Sequence, residues 1–337
     1  MLKNKITATI LALILTLTSI TGCAPADSVV QEDAAPSVLC AAFAEYDWMR
    51  QILGDNPAGI NLQLLNSSGM DMHSYQPSVA DMVKIADADL LIYTGGDSEF
   101  WIEDAIESSG KSDRQVLSFM EIFSSDHHMA DRYTSDEHDE HEGHEGHEGH
   151  GHEEEGHVHS TDEHLWLSPV MAPEFINGIT EAIIALDPAN QSYYRSNAQT
   201  YIDKIRALDA DFAKTTGSAQ HTTVLFADRY PFKYLLEDYG LEHVAAFPGC
   251  SAETEASFDT ILALSETVEH LDLNAVVILH KSKPDLANTV INNSSNKDAQ
   301  VLILNSMQSV TKSDIADGVT WLSIMESNLE ALSQALR

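Results

Sequence analysis

Short apolar runs alternate with amphipathic stretches from residue 38 to the end of the chain. The apolar runs predict strands at residues 38–42, 62–65, 90–93, 115–119, 224–227, 243–247, 275–280 and 301–304. The amphipathic stretches predict helices at residues 46–53, 78–86, 99–107, 173–186, 189–215, 231–239, 258–271, 284–292 and 315–336. Strands that alternate with helices are typical of parallel sheets in α/β proteins.

The helix predicted at residues 189–215 is unusually long. At about 1.5 Å per residue it would span roughly 40 Å, which suits a rigid strut between two lobes. A long surface helix of a single domain would show the same pattern. We predict an α/β fold of two Rossmann-like lobes with a ligand cleft between them. The predicted N-terminal lobe, connecting helix and C-terminal lobe are residues 37–170, 171–216 and 217–337.

The first 22 residues have the features of a secretory signal. Lys3 and Lys5 precede an apolar run at residues 6–17, which is shorter than a membrane span requires. The sequence Ile-Thr-Gly-Cys23 that follows resembles a bacterial lipobox, in which Cys23 is lipidated. We predict a signal peptide at 1–22, a tether at 23–36 and a lipid anchor on Cys23 at the outer face of the cell membrane, extracellular or periplasmic. The alternative is a soluble secreted protein with an incidental cysteine.

Composition changes the picture in two ways. The chain has 53 acidic and 18 basic side chains, a net charge of −35, and this charge argues against a nucleic-acid partner because it repels phosphate. Ten of the 16 histidines lie between His127 and His159, among Glu-Gly-His repeats. We predict that residues 126–161 are a mobile, His-rich loop that scavenges metal. The alternative is a solvated acidic loop that binds metal only incidentally.

Three other histidines follow predicted strands or the His-rich loop. His73 follows the second strand, His164 follows the His-rich loop, and His280 ends the strand at 275–280. Ligands of α/β proteins gather at the carboxyl ends of strands, and imidazole-rich sites favour Zn²⁺ over Mn²⁺. The sequence therefore predicts a zinc site at these histidines, although each one alone is more often structural.

Two motifs carry a family resemblance. The sequences Gly-Met-Asp-Met-His73-Ser-Tyr and Asp-Glu-His164-Leu-Trp-Leu-Ser-Pro resemble the ligand motifs of the metal-binding lipoproteins of zinc and manganese ABC importers (cluster A-I, or cluster 9). The resemblance implies a monomeric receptor that captures a metal ion between its lobes and delivers it to an ABC permease and its ATPase. The His-rich insert directly before His164 implies the zinc-binding branch.

The chain departs from this family at one ligand. Arg229 falls at or near the position of the third family ligand, and a guanidinium cannot bind metal. Asp228 could supply an oxygen instead or could pair with Arg229. The fourth family ligand is an acidic residue after a later strand, and His280 falls near it. We therefore expect His280 as the third ligand, with Asp228 as a further candidate.

Other functions are weaker alternatives. A manganese or iron receptor of the same family would share the fold, and a surface metal buffer or adhesin would need no transporter. The chain contains neither His-Glu-x-x-His nor Gly-x-Ser-x-Gly, the motifs of zinc hydrolases and of serine hydrolases. We therefore predict that the protein is not an enzyme.

Overall fold

The computed structural model describes residues 35–134, 162–247, 249 and 255–337. The predicted signal peptide, Cys23, most of the predicted tether and residues 135–161 of the His-rich segment lie outside the described residues. No helix in the described ranges is long and apolar enough to span a membrane.

The N-terminal half forms a four-stranded parallel sheet. Its strands are β1 (Ser37–Cys40), β2 (Asn61–Leu64), β3 (Leu90–Tyr93) and β4 (Gln115–Ser118), in the order β2-β1-β3-β4. Val38 lies opposite Leu62 on one side and Leu90 on the other. Strand β3, at the centre of the sheet, is apolar and buried along its whole length, as expected for a strand covered by helices on both faces.

The C-terminal half forms a second parallel sheet of the same design. Its strands are β5 (Thr223–Phe226), β6 (Glu242–Ala245), β7 (Ala275–Leu279) and β8 (Gln300–Leu304), in the order β6-β5-β7-β8. Val277 lies opposite both Phe226 and Leu302. The predicted α/β fold with two parallel sheets is therefore confirmed.

Helices surround both sheets. They are α1 (Phe43–Leu53), α2 (Val79–Asp87), α3 (Phe100–Ser109), α4 (Phe119–Ser125), α5 (His127–Thr134), α6 (Ala172–Leu186), α7 (Gln191–Gly217), α8 (Lys233–Asp238), α9 (Phe258–His270), α10 (Asp285–Asn293), α11 (Lys312–Ala316) and α12 (Trp321–Ala335). Short 3₁₀ helices occur at Met72–Ser74, Leu165–Leu167 and Pro188–Asn190.

The long helix α7 packs against elements of both halves. It contacts α1 and α6 on the N-terminal side and α12 on the C-terminal side. A continuous apolar cluster also joins the two halves, with Trp48 against both Trp321 and Phe175 at ring-centroid distances of 5.6 and 6.3 Å. The long helix has the predicted length of 27 residues but begins and ends two residues later than predicted, while the domain boundaries stay predictions.

Three segments differ from the sequence-based expectation. Residues 127–134, expected to belong to a mobile loop, form α5, because Met129 and Tyr133 are buried against the core. The helix expected at 315–336 is two helices, since Gly318 has a φ of 91° and Thr320 starts α12 as its N-cap. Helix α4 was not predicted.

Candidate metal centre

The loop after β2 presents His73 on a short 3₁₀ helix. One oxygen of Asp71, Oδ1, accepts a hydrogen bond from the His73 backbone N–H at 3.0 Å and so caps this helix. The other oxygen, Oδ2, pairs with the Arg229 guanidinium at 2.9 Å. Because Arg229 follows β5, a residue of the C-terminal half holds the loop that carries His73.

His164 lies in a buried turn that is tied to the C-terminal half. The residue is 2% exposed, and all three residues of the 3₁₀ helix that follows it are buried. The Trp166 indole N–H donates to the Ser306 carbonyl at 3.0 Å, and the Trp321 indole N–H donates to the Trp166 carbonyl at 2.8 Å. The position of His164 is therefore fixed by contacts from two C-terminal elements.

Asp162 sets the tautomer of His164. Its Oδ1 lies 2.8 Å from the His164 backbone N and 2.9 Å from the ring Nδ1. Burial alone would raise the pKa of Asp162, but the charge and hydrogen bonds of His164 outweigh it and hold that pKa below its usual value. A carboxylate acceptor at Nδ1 places the ring proton there and makes Nε2 the nitrogen whose lone pair can bind a metal.

The two histidine rings meet at these nitrogens. His73 Nε2 and His164 Nε2 are 3.3 Å apart, and the other ring nitrogen of His73 lies 2.5 Å from Ser98 Oγ. For tetrahedral zinc with bonds of about 2.0–2.1 Å, two ligand atoms are separated by about 3.3 Å. The pair therefore has the spacing of two ligands on one ion.

Two further groups lie close to this pair. The Gln308 side-chain amide lies 3.1 Å from His164 Nε2. Glu163 accepts a hydrogen bond from the Ser98 backbone N–H at 2.7 Å, and its Oε2 is buried without a hydrogen-bond partner. Glu163 also lies beside Gly96, which has a φ of 90° and leaves no room for a Cβ.

Two buried carboxyl groups lie behind the loop that carries Ser98. Glu99 accepts hydrogen bonds from the backbone N–H groups of Thr94 and Gly95, and Glu45 accepts one from the Thr94 hydroxyl. Burial raises the pKa of Glu45 to about 7 and raises that of Glu99 well above its ordinary value. These groups therefore brace the loop as hydrogen-bond acceptors.

The other two predicted ligands are not brought to this pair. Asp228 accepts backbone hydrogen bonds from Arg229 and Leu279 at 2.9 and 3.0 Å and so ties the end of β5 to the end of β7. His280 is exposed and lines a separate cavity of about 220 Å³ with Asn305, Ser309 and Asp314. Among the described residues, no three His, Cys, Asp or Glu side chains form a metal-binding group.

Sequence reasoning missed several residues of this site. Asp162 had a detectable signal, because an acidic residue two positions before His164 is placed to cap the turn. Ser98 also had one, since it follows β3 closely. Gln308 had none, because glutamine carries no metal-site pattern and its loop approaches His164 only through the tertiary fold.

The chain matches a family of known proteins along most of its length. The sequence profile of the family described as "Zinc-uptake complex component A periplasmic" matches residues 38–335. The chain belongs to this family. The zinc-uptake component A profile thus covers both sheets and the long helix.

Two relatives of the chain are named as zinc-binding or zinc-uptake proteins. The chain is 30% identical over 304 residues to the zinc-binding lipoprotein AdcA of Streptococcus pneumoniae, across 90% of this chain and 56% of that protein. It is 29% identical over 299 residues to the high-affinity zinc uptake system protein ZnuA of Bacillus subtilis, across 89% and 87%. The chain therefore spans about half the length of the AdcA proteins.

A solved structure shares the fold. The Zn(II)-bound ZnuA-like domain of Streptococcus pneumoniae AdcA aligns with a TM-score of 0.68 at 25% identity, over 90% of this chain and 99% of that domain. The match extends across both halves of the zinc-uptake component A fold.

Proposed function

We propose that the protein is the receptor of an ABC importer and that it binds Zn²⁺ through His73 and His164. The observation that carries the proposal is the 3.3 Å separation of the two Nε2 atoms, with the His164 tautomer set by Asp162. Imidazole donors favour zinc over manganese. The zinc named in its relatives and the family assignment support the same cargo.

The receptor would act by coordination and release rather than by covalent chemistry. Both ligand loops are held by the opposite half of the molecule, His73 through Arg229 and His164 through Ser306. Movement of one half against the other would therefore disturb the zinc geometry. We propose that docking on the permease, powered by its ATPase, uses this coupling to release the ion.

The location follows from the N-terminal sequence. We propose that Cys23 carries the lipid that anchors the receptor at the outer face of the membrane. The relative AdcA of Streptococcus pneumoniae is named a lipoprotein, which supports this anchor. The composition of the His-rich residues 135–161 supports a role in concentrating zinc near the site.

Calorimetric titration of the chain without residues 1–22 tests the proposal. We expect one tight Zn²⁺ site that is lost in His73→Ala and in His164→Ala and that Mn²⁺ fills more weakly. His270→Ala is the matched control, because His270 is exposed at the end of α9. A second chain that lacks residues 135–161 should keep the tight site and retain α5. If tight binding disappears with that segment, the protein is a surface metal buffer.

A further inference from the structure

Helix α8 contacts both ends of the turn that carries His164. At the start of the turn, the Asp162 carbonyl accepts a hydrogen bond from the Tyr234 hydroxyl at 2.7 Å. At its end, the Ser168 hydroxyl donates to Asp238 Oδ2 at 2.6 Å. The two indole hydrogen bonds to other C-terminal elements hold the middle of the turn. Helix α8 therefore supports the turn at its two ends.

The Asp238 carboxylate is the centre of a buried cluster. Its side chain is fully buried, and the Tyr133 hydroxyl of α5 donates to its other oxygen, Oδ1. The Arg132 guanidinium lies 3.7 Å from the same oxygen and donates to the Asp238 carbonyl at 3.3 Å. Burial raises the pKa of Asp238 to about 6, although Ser168, Tyr133 and Arg132 oppose this rise. At neutral pH Asp238 therefore accepts hydrogen bonds from both hydroxyl groups.

The hydroxyl at the end of the turn is fixed in direction as well as in place. Ser168 Oγ, which donates to Asp238, also accepts from the Met171 backbone N–H at 3.0 Å. Ser168 directly follows the 3₁₀ helix Leu165–Leu167, which begins after His164. A binding site needs its ligands held within about 0.5 Å of the productive geometry. A shift of Ser168 would turn this short helix and so displace the imidazole of His164.

We propose that Asp238 is a positioning residue for the zinc site and that it acts on His164 through Ser168. The inference rests on the proposed function and concerns a residue that supports a ligand rather than being one. Arg229, four residues before α8, supports the loop that carries His73, so this one segment positions both histidines. Loss of the Asp238 carboxylate would loosen the end of the turn, and zinc binding would then have to order it.

Competition with a chromophoric zinc chelator tests the proposal on the chain without residues 1–22. Asp238→Ala and Ser168→Ala should each weaken zinc binding by roughly tenfold, and the double variant should lose little more, because both changes break the same hydrogen bond. The amide of Asp238→Asn can still bond to both hydroxyl groups, so this variant should keep most of the affinity. Asp187→Ala, which removes the acceptor of the buried Tyr194 hydroxyl at 2.6 Å, is the matched control.

The visible spectrum of bound Co²⁺ distinguishes positioning from general stability. It should change in Asp238→Ala and in Ser168→Ala, because the geometry of His164 changes, and it should stay the same in Asp187→Ala. Circular dichroism checks the fold of each variant. If Asp238→Ala does not fold, Ser168→Ala decides the question, since it leaves the carboxylate bonded to Tyr133.

Three results would overturn the inference. Zinc binding in Asp238→Ala as tight as in Asp187→Ala would show that Asp238 supports only the fold. Losses that add up in the double variant would show that Asp238 does not act through Ser168. An unaltered Co²⁺ spectrum in Ser168→Ala would exclude an effect on the ligand geometry. In all three cases His73→Ala still abolishes tight binding; if His73→Ala binds zinc normally, the proposed function fails instead.

Discussion

The hydrogen bond between Asp162 and His164 offers a direct test of how the site is built. In Asp162→Ala, the ring Nδ1 and the backbone N of His164 both lose the acceptor that lies 2.9 and 2.8 Å away. The ring proton can then move to Nε2, where it blocks the metal, and the ring can rotate. We expect zinc affinity to fall by about 10- to 100-fold, or roughly 1.4–2.7 kcal/mol.

A conservative variant separates charge from orientation. The amide oxygen of Asp162→Asn can still accept from Nδ1, so it should keep the tautomer and lose only the electrostatic support. Its loss of affinity should fall between those of the wild type and Asp162→Ala. The assay is competition with a chromophoric chelator at neutral pH, with the fold checked by circular dichroism.

Asp126 provides a matched control for this series. Its Oδ1 accepts from the His128 backbone N–H at 2.9 Å, the same local motif at the start of α5. Asp126→Ala should leave the zinc affinity unchanged. If Asp162→Ala binds zinc as tightly as Asp126→Ala, the carboxylate does not set the His164 tautomer and the reasoning is refuted.

Three further predictions follow from the structure. Gly96→Ala should weaken zinc binding, because the added Cβ would lie 2.6 Å from Glu163 Cγ. Gly59 also has a positive φ but has no atom within 4 Å of an added Cβ, so Gly59→Ala should leave zinc binding intact in the same titration. Glu45→Gln should flatten the pH dependence of the free energy of unfolding in urea, because the folded pKa of Glu45 is about 7. The contribution of Glu45 to that free energy is full below about pH 4.5 and is lost as the pH rises through 7, and an unchanged profile would contradict this pKa. Asp47→Ala should lower the free energy of unfolding by roughly 2–4 kcal/mol, because it leaves the buried Trp321 backbone N–H at the start of α12 without its acceptor. An unchanged midpoint of urea unfolding would contradict this prediction.

Much of the fold could be predicted because the spacing of hydrophobic residues indicates which segments are helices and which are strands. The run at 90–93 is buried on both faces and is the strand β3 without a shift of boundary. The long helix was visible from its amphipathic pattern and its Asp-Pro start. Gly318 was harder to interpret, since a glycine inside a helical pattern does not show whether its backbone will adopt a positive φ.

The candidate site was predictable only in part. His73 and His164 belong to short motifs, and each is capped by an aspartate two residues earlier, so their local structure is encoded locally. Gln308 is 144 positions from His164 in the chain, and its approach depends on how the two sheets pack. His280 was predicted from its position at the end of a strand, and the strand does place its backbone there. Its side chain, however, lines a cavity separate from the site of His73 and His164.

Locating zinc by its anomalous X-ray scattering in crystals of the metal-loaded receptor tests the central claim most directly. The account predicts one strong peak about 2.0–2.1 Å from both His73 Nε2 and His164 Nε2. A peak at His280 and Asp314, with none between the two rings, would contradict it. Zinc bound by residues 135–161 alone would contradict it equally.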